Sequence, residues 1–159
     1  MINLYLFSTV RSPRNTDGIG IYILETQTSK GPATLTKVVK MDDVNDCKAA
    51  LLLIGEAFSR ITRIEPVTLF TNIGYLVGLY TDERLKKWHD SRWMSRKGRQ
   101  VMNAELLKTL YEKNIPVEEV RQDQHSYYEW MKNEAEKELK KWRDEKCSTD
   151  SENSAQPRK

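Results

Sequence analysis

The chain has 159 residues, 31% of them charged, yet its net charge is only +3. That length fits one domain with a real core, and so mild a balance excludes reading function from mean charge; its distribution must carry that. Cys47 and Cys147 lie far apart and match no metal or redox spacing, which argues against a disulfide scaffold. No apolar run approaches the ~18 residues of a membrane span and no basic-then-apolar leader opens the chain, so the expectation is a cytoplasmic protein without a membrane partner.

Residues 2–9, "INLYLFST", read as a strand of β-branched, aromatic and aliphatic types. "VRSPRNTDG" (10–18) is a turn cluster, and "IGIYILETQ" (19–27) returns as a second, antiparallel strand. Ser29 to Pro32 punctuates, and "ATLTKVVKM" (33–41) is a third strand. The period then changes to 3.6: Val44, Cys47, Leu51, Ile54, Phe58 and Ile61 share one face of a helix predicted over 42–61, with Asp42 or Asp43 as its N-cap. "PVTLFT" (66–71) is a fourth strand, parallel to the first because a helix crosses between them.

A short helix at 73–80 follows, with Gly74 and Gly78 spaced for close packing. Residues 82–103 form a basic, Trp-bearing helical stretch, and 104–114 an amphipathic helix capped by Asn103. A short strand at 115–122 has Pro116 near its start, which suits an edge or a beginning. A charged helix at 127–146 carries a stripe of Trp130, Met131, Ala135, Leu139 and Trp142. The domain is expected over 1–146, with 147–159 a disordered polar tail. The fold class is therefore α/β, a mixed sheet of about five strands, three antiparallel and then parallel ones, with helices on both faces.

This order, the turn "FTNIGYLV" and the segment "KKWHDSRWMSRKGRQVMNAELLKTL" together resemble the bacterial type-1 ribonuclease H family. The turn is similar to the family's Thr-Asp-Ser-x-Tyr-Val at the end of the fourth strand. The segment is similar to its basic protrusion, with Trp88, Trp93, Arg96, Lys97, Val101 and Asn103 in the family's order. The resemblance covers roughly residues 2–142 and implies an enzyme that cuts the RNA strand of RNA–DNA hybrids with two Mg²⁺ ions held by four carboxylates. Carried across, those four positions fall on Ser8, Cys47, Asn72 and Asn133, none of them a carboxylate. Mg²⁺ wants anionic oxygens, and a pair of ions needs several of them to offset its own repulsion.

The expectation is accordingly a catalytically degenerate domain, leaning away from an enzyme, with no metal site and no cofactor. An active hybrid ribonuclease with a rebuilt site is the alternative. It would use Mg²⁺ or Mn²⁺ and draw on Asp43 and Glu129, one helical turn before Cys47 and Asn133, with Asp17 or Asp123 nearby. Arg84 to Arg99 holds seven basic residues against one acid, Asp90, with Trp88, His89 and Trp93 interleaved. A solvated helix whose Trp residues pack on the domain would look the same. With the resemblance, the segment is read as a nucleic-acid surface of Trp88, Arg92, Trp93, Arg96, Lys97, Arg99 and Asn103, for RNA–DNA hybrid or duplex. A third alternative keeps only the fold and gives the last helix and tail a protein partner. His125 matches a mobile family histidine only loosely and is read as a surface residue.

Overall fold

The computed structural model describes residues 1–122 and 125–155, the last of these, 149–155, as backbone only. Five strands, β1 (Ile2–Ser8), β2 (Thr16–Thr28), β3 (Gly31–Val44), β4 (Val67–Phe70) and β5 (Val117–Arg121), form one sheet in the order β3-β2-β1-β4-β5. β2 runs antiparallel to β1 and β3, while β4 lies parallel to β1 and to β5. The helices are α1 (Asp46–Ser59), α2 (Gly74–Thr81), α3 (Arg84–Asp90), α4 (Ala104–Lys113) and α5 (Tyr128–Ala155).

The two-residue period of β1 divides the core. Leu4 and Leu6 point into a cluster with Leu53, Ile54 and Phe58 of α1 and Leu107 of α4. Tyr5 and Phe7 point to the other face, where Ile19, Ile21 and Ile23 of β2 meet Met131 and Ala135 of α5. A sheet buried on both sides needs apolar residues at successive positions, which is why "LYLF" shows no polar alternation. Trp130, expected in the α5 stripe, is instead 49% exposed; Met131, Ala135, Leu139 and Trp142 hold the contact.

Several boundaries differ from those expected. Asp42 and Asp43 do not cap α1, because β3 continues to Val44 and Asp43 takes a left-handed φ of 49°. The cap is Asn45, whose extended backbone lets its Oδ1 accept the Lys48 N–H at 2.9 Å. The basic stretch is not one helix. Arg92, Trp93 and Gly98 have φ of 57°, 63° and 76°, so α3 stops at Asp90 and the chain folds into a turn with a bridge between Met94 and Gln100. Asn103 stands at the N-cap of α4 with φ 62°, and its side chain makes no capping bond. Gly78 lies against the Arg84 guanidinium, 2.9 Å from where a Cβ would sit, whereas Gly74 faces open space.

α5 carries the backbone through residues 147–155, into the segment expected as a tail, since extending a formed helix adds a hydrogen bond per residue ordered. Residues 156–159 lie outside the described residues. Lys146 ties this helix to the sheet edge, pairing with Asp17 and, at 3.6 Å, Asp42, and its ammonium lies 4.4 Å from the Trp142 ring centre. No helix among the described residues is long and apolar enough to cross a membrane.

Candidate functional site

Parallel strands joined by crossovers leave a crevice beyond their carboxyl ends. Here β1 ends at Ser8 and β4 at Phe70, and the amino ends of α1, α2 and α5 stand around the gap. The result is a cleft of ≈ 260 Å³ whose polar lining comes from Ser8, Arg11, Asp46, Asn72 and His125, with Phe7, Tyr75 and Tyr128 among its aromatic walls. Ser8 is only 4% exposed, and its Oγ accepts the Val10 N–H at 3.1 Å. Thr71 is as buried, and its Oγ1 accepts the Ile73 N–H at 3.0 Å, which fixes the turn that presents Asn72. Asn72 itself is exposed.

The two Mg²⁺ ions implied by the resemblance do not fit this lining. Among the described residues its one carboxylate is Asp46, whose Oδ1 already accepts the Cys47 N–H at 2.8 Å. Ser8 and Asn72 both line the cleft. Cys47 is half-buried outside the lining, and burial, reinforced by Asp46, holds its thiol up and protonated. Asn133 is exposed on α5, and the α5 residue that reaches the cleft is Tyr128.

The substitutes fare no better. Asp43 sits at the end of β3, not one turn before Cys47, and its N–H donates to Asp17 Oδ1 at 2.9 Å. It belongs to the cluster of Asp17, Asp42 and Lys146. There Lys146 draws the Asp17 carboxyl down to about 2, and Asp17 in turn pushes Asp42 up. Glu129 is exposed and does not line the cleft; Asp123 lies outside the described residues. No group of three His, Cys, Asp or Glu among the described residues is arranged to hold a metal.

What the sequence did not foretell is a run of rings crossing the top of the sheet. Arg11 lies 5.4 Å over Phe7, Phe7 meets the edge of Tyr128 at 5.9 Å, and Tyr128 meets His125 at 6.2 Å. His125 then packs on Tyr5 at 4.6 Å, Tyr5 stacks on Phe70 at 4.5 Å, and Arg121 closes the run 5.8 Å over Phe70. His125 is thus half-buried, not a plain surface residue. Burial lowers its pKa, and its Nδ1 accepts the Tyr127 N–H at 3.2 Å, so it is neutral at pH 7. Tyr127 donates to Glu25 Oε2, and that bond pushes its phenol up to about 12. The one local signal for this run was the density of rings in "HSYYEW".

In the protrusion the two indoles lie against the domain and the cations lie outside. Trp93 is 7% exposed and Trp88 packs against the same core, while His89 stacks on Tyr111 of α4 at 4.2 Å. Arg92, Arg96, Lys97 and Arg99 all face solvent. The last three sit at a tight turn, closed by Ser95 N–H donating to the Arg99 carbonyl at 2.7 Å and opened to positive φ at Gly98. Asn103 is half-buried and sits behind this surface at the start of α4.

No protein-family model matches this chain, and no curated protein does. Solved structures do. The foamy viral protease-reverse transcriptase in complex with dsDNA aligns at 10% identity over 86% of this chain and 88% of that one, with a TM-score of 0.57. The PFV RNase H domain in solution aligns at 14% identity over 86% and 88%, with a TM-score of 0.57. The foamy viral protease-reverse transcriptase in complex with RNA/DNA hybrid aligns at 15% identity over 84% of this chain but 19% of that one, with a TM-score of 0.60. At such identities the likeness is one of fold, and the fold is ribonuclease H-like.

Proposed function

We propose that this ribonuclease H-like domain binds nucleic acid, RNA–DNA hybrid or duplex, through its basic protrusion and does not hydrolyse what it binds. The observation that carries the reading is the donor set of the cleft: among the described residues Asp46 is its single acid, beside the neutral side chains of Ser8 and Asn72. One carboxylate cannot balance two divalent ions a few ångströms apart, so this donor set argues against the two-metal route to phosphodiester cleavage.

Binding needs none of those acids. Arg96, Lys97 and Arg99 on a rigid turn, with Arg92 beside them, offer cations to successive phosphates, and Trp88 and Trp93 hold the element against the domain. Such contacts fix position on a duplex without reading bases, so little sequence preference is expected. The foamy viral relatives of this fold, solved with dsDNA and with RNA/DNA hybrid, support the same ligand class. The test is fluorescence anisotropy of labelled hybrid, DNA duplex and RNA duplex titrated with the protein. Saturable binding that falls steeply with salt is expected; no binding to any of the three at low salt would sink the reading.

A further inference from the structure

A cleft that has lost its metal ligands need not be empty of purpose. Its walls combine three kinds of group: aromatic faces, a free amide and a free cation. Tyr75 and Tyr128 are half-buried, each with part of its surface open. Asn72 makes no hydrogen bond among the described residues, so its amide still offers two donors and an acceptor. Arg11 is exposed and in no ion pair among the described residues, its charge resting over the Phe7 ring. Asp46 is engaged by both the N–H and the thiol of Cys47, and its carboxylate still has lone pairs to offer a ligand.

We propose that the cleft seats one unpaired nucleotide of a bound strand, with its base against Tyr128 and Tyr75, its edge on Asn72 and its phosphate on Arg11. The inference rests on the nucleic-acid reading above and adds what the cleft itself takes. A paired base has its edge and both faces occupied, whereas an unpaired one can bring face and edge together into a concave site. Stacking on rings tolerates any base, and neutral His125 extends the stacking surface without adding charge. Asp46 accepts hydrogen bonds only, which favours a base that carries an exocyclic amine.

The experiment compares a hybrid holding one bulged 2-aminopurine with the same hybrid fully paired. The bulged probe should bind about tenfold tighter, the scale of one stacked base, and its fluorescence should be quenched on binding. Asn72→Ala and Tyr128→Leu should each abolish that preference while leaving affinity for the paired hybrid unchanged. Asn72 is exposed, so Asn72→Ala keeps the test decisive even if Tyr128→Leu does not fold. Replacing Arg96, Lys97 and Arg99 with Gln should weaken both probes alike. Equal affinity for the two probes, or a preference that survives Asn72→Ala, overturns the inference and leaves the protrusion reading standing. If neither hybrid binds, that reading has failed, and adenosine 5′-monophosphate titrated against ¹⁵N-labelled protein decides the cleft. Amide shifts centred on Asn72 and Tyr128 would uphold the inference, and their absence would overturn it.

Discussion

Neutralising the protrusion should change the salt dependence of binding by a calculable amount. Arg92, Arg96, Lys97 and Arg99 are exposed, and none has an ion-pair partner among the described residues, so each is available to a phosphate. With a slope of roughly −0.9 per phosphate neutralised, four contacts give a log–log slope of about −3.6. Between ~50 and ~200 mM salt the affinity for a duplex then falls roughly 150-fold. Replacing all four with Gln should flatten the slope by about the same 3.6, and these surface changes should shift stability by no more than ~0.5 kcal/mol. The assay is anisotropy of labelled hybrid over a salt series, with a thermal melt of each protein as the control for folding. A wild-type slope shallower than about −1, or a slope that the four substitutions leave unchanged, would refute the assignment of phosphate contacts to this element.

Other consequences concern the core, the aromatic run and the cleft. A Cβ at Gly18 would lie 2.1 Å from Val10 Cγ2, and Val10 is buried, so Gly18→Ala should destabilise the fold by about 1–3 kcal/mol in urea titrations. Tyr127→Phe removes a donor to Glu25 and should cost about 1 kcal/mol near neutral pH. Because the phenol titrates at about 12 when folded, above its unfolded value near ~10, that contribution is complete below ~10 and lost as pH rises toward 12. Denaturation midpoints of the two proteins should therefore converge on the alkaline side; a gap that widens there contradicts the assignment. Asn72→Asp puts a carboxylate beside Asp46, the cleft's one acid among the described residues, and should still give no hybrid cleavage in Mg²⁺, because two acids are too few for two ions.

The sheet was readable because β1, the apolar middle of β2 and β4 are bounded by turn residues, and because the helix read over 42–61 forces a parallel return. The end of β3 was not. Asp42 and Asp43 look like helix-opening acids, and only the left-handed turn at Asp43 and the cap at Asn45 reveal that the strand runs on past Met41. The protrusion was legible in composition and misread in shape. Positive φ at Gly98 is foreseeable, but at Arg92 and Trp93 it is imposed by burying the indole, a tertiary demand with no local signature. The cleft divides the same way. Ser8 and Asn72 are local to strand ends, whereas His125 and Tyr128 gain their places from rings on β1 and β4 that are distant in the chain. Asn133 lies farther along α5, whereas Tyr128 at its start lines the cleft.

The most direct test of a domain that binds without cutting follows one labelled RNA–DNA hybrid in two gels, native and denaturing, from the same reactions in Mg²⁺ and in Mn²⁺. A hybrid shifted by the protein, with its RNA strand intact while a parallel active ribonuclease H cuts it, is the predicted result. RNA cleavage that Asp46→Asn abolishes would contradict it and would establish a working metal site built on that single carboxylate.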